Sequence, residues 1–597
     1  MADQPETSPD ARTKPATAKQ NGQQEPAAPA AAPEKDIAPR KLQYMFAARR
    51  GANLLPMAAG IEPAFDAQQV LEALQRMPEV TIVRRIRPSS FSVLSAGPSA
   101  SQDIIVATTT PEHGQFLERI AHPGMIVERD LLLKHLSDLP TATAQRVTPA
   151  RVVAASIDVK FHVQDGAGQP VPEAQICVYT GNGGEAQAAT DASGNATATV
   201  YGGYLNDVVA LYVKPHADLW ERFVSRPALS ADQPNVIVLK RLGEFAAVQF
   251  PANPFLGWGQ RLMGLSGENG GALTGRGAKI AIIDSGCDNS HAALTHVKLG
   301  RDYTNLSASG EPNEQSWTLD ALGHGTHCAG VITGNGQNGQ IRGFCPEAEI
   351  HVLKLFPGGA FNNLAAAIHY CIDNQIDVAN CSLGSDATSE IIQQLIQTAR
   401  EAGVALVVAA GNSSGPVQFP AAVPGVLCVS AVGQQGEYPA DTYHAQTAEP
   451  GTILVNGLFP AKFSCRGPEV KVCAPGVAII STMPGGGYAS WDGTSMAAPA
   501  ITGSAGLVVA HHPDFANRQG PRNAARVDRI FQIVMGAAVP LGLDPTLGGV
   551  GLPAVPHALL AQASNAVSTD VFDPNEAGLQ AAVRQGLSAG LAAFGLA

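Results

Sequence analysis

The 597-residue sequence predicts an α/β domain with a parallel sheet over residues 245–563, preceded by a small α+β domain and an all-β sandwich. Three observations lead there. From about 245 onward, short apolar runs such as "KIAIID", "EIHVLKL", "IDVANC", "VALVVAA" and "VLCVSAV" alternate with helical patterns, as a parallel sheet with crossover helices requires. Between 153 and 241, strand runs follow one another directly, separated by turn residues. Between 41 and 140, two helical patterns interrupt four strand runs. The length itself exceeds what one ordinary core organises.

Composition narrows the function classes. The chain carries 39 Lys and Arg against 51 Asp and Glu, a net charge of −12, and has no basic cluster that would recruit nucleic acid. No apolar run is long enough to cross a bilayer, and the start "MADQPETSPDARTKPATAKQ" lacks a signal-peptide core, so a soluble, cytoplasmic protein without a membrane partner is expected. The nine cysteines are scattered, with no C-x-x-C pair, as small reduced core residues would be. No cofactor and no metal site is expected.

Residues 1–40, rich in Ala, Pro and Gln, have almost nothing to bury and are expected to be disordered. "LQYMFAA" then reads as a strand. "DAQQVLEALQRM" reads as a helix capped by Asp66, with Val70, Leu71, Leu74 and Met77 on one face. "VTIVRRI" and "DIIVATTT" are strands, "PEHGQFLERIA" a helix opened by Pro111, and "GMIVERD" a last strand. This β-α-β-β-α-β order suggests a split βαβ sandwich. The runs "SIDVKFHVQD", "AQICVYT", "ATATVYG", "DVVALYVK" and "NVIVLKRL", with turns at "DGAGQP" and "DASGNA", compose the β-sandwich. They resemble carboxypeptidase-regulatory or immunoglobulin-like modules. In the α/β part, "NLAAAIHYCIDN" and "EIIQQLIQTAREAG" are the clearest helices. Residues 564–597 form an Ala/Gly-rich tail whose glycines weaken any helix.

Candidate chemistry lies at strand ends, where sheets of this type place their sites. "KIAIID" ends in Asp284. "GHGTHCAG" supplies His324, with His327 three residues on; no H-E-x-x-H glutamate or third ligand accompanies them, which argues against zinc. "VALVVAAGN" ends in Asn412, and "DGTSMAAP" places Ser495 between a glycine turn and a run of small residues.

The order Asp284, His324, Ser495 is that of a subtilisin-type Ser-His-Asp triad. With "AIIDSG", "GHGTHCAG", "NCSLG", "AAGN" and "GTSMAAP", residues of roughly 250–560 resemble the subtilisin-like serine proteases. The resemblance implies that Ser495 opens a buried helix and attacks the scissile carbonyl. His324 serves as general base and then acid, Asp284 orients it, and Asn412 with the Ser495 N–H forms the oxyanion hole. Pro499 is expected to be tolerated as part of the helix's first turn. A peptide substrate would lie between two edges, Ser382-Leu383-Gly384 and Gly358-Gly359-Ala360-Phe361, with Phe361 lining a distant apolar subsite. The first pocket would be walled by Ala409, Ala410 and Gly411 and by "NSSGPVQFPA", with Gln418 at its base. Cys328, one turn after His324, resembles the free thiol of proteinase-K-like subtilases.

By the same resemblance, residues 41–140 are similar to subtilisin propeptides, whose tails enter the cleft as product-like inhibitors. Residues 131–148 would then run near Ser495. The implied function is a serine endopeptidase, made as a zymogen and held inactive by its own prodomain until autocatalytic cleavage. The β-sandwich between the two parts departs from the simple family pattern. The rival reading is a catalytically silent subtilase-fold interaction protein.

Overall fold

The computed structural model describes residues 40–50, 67–87, 103–135, 156–201, 204–245, 250, 252, 254–266, 272–449, 451–517 and 520–565. The amino-terminal tail, the Asp66 cap, residues 136–148 and the carboxyl-terminal tail beyond 565 lie outside them.

Alternation along "LQYMFAA" sends side chains to both faces of its strand, and here both faces are covered. Strands β1 (Leu42–Ala48), β2 (Thr81–Ile86), β3 (Ile104–Thr109) and β4 (Met125–Arg129) form an antiparallel sheet in the order β2-β3-β1-β4. Tyr44, Phe46, Ile105 and Ala107 share a cluster with Leu74 of helix α1 (Ala67–Gln75) and Leu117 of α2 (Pro111–Ile120). Met45, Ala47, Ile104 and Val106 instead join the apolar cluster of the α/β part, among Phe361, Leu364 and Ile391.

The next segment forms two sheets. Its strands are β6 (Ser156–Asp165), β7 (Gln175–Thr180), β8 (Glu185–Ala189), β9 (Asn195–Tyr201), β10 (Val208–Lys214), β11 (Arg222–Ser225) and β12 (Asn235–Leu239), after a two-residue β5 (Lys134–His135). The sheets, ordered β11-β10-β7-β8 and β12-β6-β9, share one apolar cluster that includes Phe161, Ile176, Val178 and Leu211. The turn chemistry is as expected: Asp165 Oδ1 accepts from the N–H groups of Ala167 and Gln169, and Asp191 Oδ1 from those of Ser193 and Asn195. Strands β8 and β11 were not foreseen. Both are short edges, and their sequences "EAQAA" and "RFVS" carry little strand signal.

In the α/β part, β13 (Lys279–Asp284), β14 (Leu299–Leu306), β15 (Pro312–Asn313), β16 (Glu349–Lys354), β17 (Val378–Cys381), β19 (Ala405–Ala409), β20 (Leu427–Gln434), β21 (Leu458–Pro460) and β22 (Val470–Pro475) form one sheet. Its path is β15-β14-β16-β13-β17-β19-β20-β21, with β22 also on β20. The sheet is mixed, which corrects the wholly parallel expectation. The interior pairs are parallel, whereas β15 and β21 close onto β14 and β20 antiparallel. Helices α3 (His324–Thr333), α4 (Phe361–Asp373), α5 (Glu390–Glu401), α6 (Thr494–His511) and α7 (Ala524–Gly536) cover it. Among the described residues, no helix is long and apolar enough to cross a membrane.

Two carboxylates of β4 and its end tie the first sheet to this part. Glu128 accepts from the Glu390 N–H at 2.9 Å and from the Ser389 hydroxyl, and Asp130 accepts from the Asn362 N–H at 3.0 Å. Each therefore places an acidic group at the positive end of a helix, α5 and α4 respectively. Burial pushes Asp130 up to about 6, against the hydrogen bonds from Asn362 that hold it down.

Candidate active site

Asp284 ends β13, and Ser382 and Asn412 follow the carboxyl ends of the parallel strands β17 and β19, so three separate stretches meet on one rim of the sheet. His324 opens α3, and Asp284 Oδ1 lies 2.7 Å from its Nδ1, with both side chains buried. The same oxygen accepts the Ser285 N–H at 2.7 Å. Burial pulls the His324 pKa down, but the charge and hydrogen bond of Asp284 outweigh it and the net shift is upward.

The start of α3 is fixed by a residue that the sequence reading passed over. Asp320 accepts from the N–H groups of Gly323 and Thr326 and from the Ser285 hydroxyl, at 2.8–2.9 Å. An aspartate just ahead of a helix start was the available signal. Gly325 is required by space: a Cβ there would stand 2.1 Å from the Gly286 carbonyl oxygen. Gly325→Ala should therefore destabilise the fold by about 1–3 kcal/mol, measurable as a lower thermal midpoint.

Ser495 is the second residue of α6, after Gly493, whose φ of 149° suits glycine. Thr494 to Val509 are buried, as the small residues "SMAAPAITGSAG" allow. Pro499 lies beyond the first turn, which corrects the expectation. Its missing N–H would have bonded the Ser495 carbonyl four residues back. That carbonyl accepts instead from the Ser382 hydroxyl at 3.0 Å and from the Cys328 thiol at 3.5 Å. The Ser495 hydroxyl donates to the Ser382 carbonyl at 3.3 Å, while His324 Nε2 is buried with no hydrogen-bond partner among the described residues. The histidine and aspartate are thus joined, and the serine hydroxyl is turned aside.

Asn412 accepts from the Thr494 N–H at 2.9 Å and hydroxyl at 2.7 Å, which makes the amide NH2 its donor end. Gly411 donates to Thr494 Oγ1 at 3.1 Å, and the Ala410 carbonyl accepts from the Gln418 N–H at 2.9 Å. Gln418 packs against Gly411: its Oε1 is 2.5 Å from where a Gly411 Cβ would stand, and its Nε2 donates to Asp386 at 2.8 Å.

His327 packs within the core. Its Nε2 faces the carbonyls of Ile479 and Ala489 at 2.9 and 3.2 Å, its ring stacks on Trp491 at 5.0 Å, and burial lowers it to about 3. Burial likewise raises the Cys328 thiol far above its ordinary range, so it sits as a thiol among neighbours rather than a nucleophile.

Both proposed substrate edges are occupied by the chain's own residues. Strand β5 pairs antiparallel with β18 (Leu383–Gly384), Lys134 opposite Gly384 and His135 opposite Leu383. On the other side, Leu133 donates to the Gly359 carbonyl at 2.8 Å, Leu132 bridges Ala360, and Phe361 donates to the Leu131 carbonyl at 3.1 Å. Gly358, the first residue of this edge, has a φ of 87°. Phe361 is fully buried, edge-on to Phe419, in the cluster that Leu133 joins. Lys134 pairs with Asp386 at 2.5 Å, and the His135 ring lies 5.8 Å from that of His324.

The subtilase family model matches residues 275–554, which hold all of these strand ends. Subtilisin from Bacillus pumilus is 33% identical over 254 residues, 41% of this chain and 82% of that protein. The thermostable alkaline protease of Halalkalibacterium halodurans is 31% identical over 341 residues, 56% of this chain and 80% of that one. Subtilisin amylosacchariticus of Bacillus subtilis is 34% identical over 254 residues, 41% of this chain, and the chain spans 59% of its length. A solved structure, the S41 psychrophilic protease, is 27% identical, covers 47% of this chain and 91% of its own, and superposes with a TM-score of 0.39. The chain belongs to the subtilase family.

Proposed function

We propose that the protein is a serine endopeptidase whose amino-terminal segment, residues 41–140, occupies its own substrate cleft until the chain is cut. The observation that carries the reading is the 2.7 Å Asp284–His324 contact beside the start of α6, where Ser495 sits. Peptide would enter as a strand between residues 358–361 and 382–384, the path that residues 131–135 follow.

Attack begins when the Ser495 hydroxyl leaves the Ser382 carbonyl and gives its proton to His324 Nε2, forming the bond from Oγ to the scissile carbon. The carbonyl oxygen becomes an oxyanion between the Asn412 NH2 and the Ser495 N–H, at the positive end of α6. His324 returns the proton to the leaving amine, and water then hydrolyses the acyl-enzyme by the reverse relay. Asp284 keeps Nδ1 protonated so that Nε2 can accept.

The test is covalent: once the chain has been cut within residues 136–148, by its own action or by an added protease, a fluorophosphonate probe should label Ser495, with casein cleaved in parallel. A folded, cut chain inert to both would overturn the reading in favour of a silent binding protein. Asn412→Ala should lower kcat by about 10²–10³ with KM little changed, because the oxyanion exists only after attack. Steady-state kinetics on a peptide substrate checks it.

A further inference from the structure

The β-rich segment reaches the back of the nucleophile turn with two side chains that the mechanism above does not use. Residues 218–223 run along the α/β part: Asp218 exchanges backbone hydrogen bonds with Tyr488 through its N–H and its carboxylate, and the Phe223 N–H donates to the Asp441 carbonyl at 2.9 Å. Between them Trp220 is buried in the α/β core, 5.8 Å from the His444 ring.

Glu221 is the buried acidic side chain in this crossing. It accepts from the Tyr443 N–H at 3.0 Å and from the Tyr212 hydroxyl, and lies 3.7 Å from His444 Nδ1. The same Nδ1 is 2.7 Å from Asp492 Oδ1, which also accepts the Ala478 N–H at 2.7 Å, and His444 Nε2 is 3.1 Å from the Ser490 hydroxyl. One imidazole thus grips residues 490 and 492 together. The side chain between them, Trp491, is held from the other direction: Lys214 Nζ stands 4.4 Å over its ring, and His327 stacks on it. Gly493 then donates to the Gly476 carbonyl at 2.8 Å, and the chain enters Thr494 and Ser495.

These three acid and imidazole groups lie within 4.8 Å of one another, a spacing a cation could use. Their atoms are already committed to Ala478, Tyr443 and Tyr212, so a shared proton suits the cluster better than a metal. Burial pulls the His444 pKa down, yet the charges of Asp492 and Glu221 outweigh it and hold it up. Two buried carboxyl groups face one imidazole, with Lys214 nearby; burial pushes Glu221 up while His444 holds it down, so removing one member leaves its neighbours to bear the cost of burial.

We propose that Glu221 and Lys214, contributed by the β-rich segment, are positioning residues for the nucleophile: through His444 and Trp491 they set the 490–494 turn that presents Ser495. The segment is then part of the catalytic apparatus rather than an appended module. This rests on the peptidase reading, with Ser495 as nucleophile.

The experiment compares the wild type with Glu221→Gln, Tyr212→Phe and Lys240→Ala, each made full-length and then cut within residues 136–148 by the same added protease, reading the rate of Ser495 labelling by the fluorophosphonate, kcat and KM on a peptide, and the thermal midpoint. Glu221→Gln keeps the size and one acceptor oxygen and replaces the ionisable carboxyl with an amide. It should slow labelling and kcat by about ten- to a hundred-fold, the range that a shift of up to 1 Å in a reacting group costs, with KM unchanged. Tyr212→Phe should move in the same direction by less. Lys240→Ala removes an exposed pair with Asp441 at 3.1 Å on the same crossing and should label at the wild-type rate. Folded Glu221→Gln and Tyr212→Phe proteins that label like wild type overturn the inference, as does an equal loss in Lys240→Ala, which would assign the effect to loosened docking. Should Glu221→Gln fail to fold, Tyr212→Phe decides. A folded, cut wild type that stays unlabelled overturns the peptidase reading and this inference with it.

Discussion

Ser495→Ala should leave the purified chain intact on incubation, whereas the wild type should acquire a new amino terminus within residues 136–148. Residues 131–135 already run through the cleft as a strand paired to Leu383 and Gly384, and His135 comes within ring contact of His324. The described strand ends at His135 beside His324, so the first peptide bond expected to be cut is one of the chain's own just beyond it. Alanine removes the atom that forms the acyl bond and leaves α6, Asn412 and the strand edges in place. Turnover on an added peptide should fall by about 10⁶, the loss found when the serine alone is deleted from a triad, with a residue of catalysis from the oxyanion hole. Amino-terminal sequencing and mass measurement of both proteins after the same incubation read the result. Identical intact chains, or the same trimming in both, would sink the self-processing scheme.

Asp284→Asn should cost about 10⁴ in kcat while leaving the fold unchanged. The carboxylate is buried, and its Oδ1 faces the His324 Nδ1 at 2.7 Å. An amide there can turn its NH2 toward Nδ1, which stabilises the tautomer with the proton on Nε2, where no proton can be accepted. A pH profile separates this from simple damage. In the wild type, burial lowers His324 but Asp284 raises it further, so the acid limb of kcat/KM should lie above the ordinary histidine value of about 6.5. Activity then falls as pH drops through that limb, because the imidazolium cannot act as base. Without the aspartate charge, burial dominates and the limb of the residual activity should move to lower pH. An unmoved limb would show that Asp284 does not set the histidine's basicity.

How much of this was legible depends on distance along the chain. Asp284, His324, Asn412 and Ser495 each stand in a short run whose glycines and small residues shape the local backbone, so each could be named from its own neighbours. Strand β1 was equally plain from alternation, yet nothing local says that Met45 and Ala47 would pack against α4 and α5 rather than face water. The edge strands β8, β11, β15 and β21 escaped notice because a strand paired on one side needs little intrinsic preference.

Pro499 marks the boundary well. The sequence allows a proline near a helix start, but only the fold brings Ser382 and Cys328 to the carbonyl that the proline leaves without its N–H. The joining of Glu221, His444 and Asp492 is of the same kind, three residues from separate stretches with no motif around any of them. Taken alone, the sequence determined the periodicities, the turns and the chemically armed strand ends, since these depend on residues within a few positions of one another. The tertiary structure alone decided which buried polar groups outside those motifs meet. Those choices are made by desolvation and long-range packing, where the partner of a group is whatever the fold places beside it.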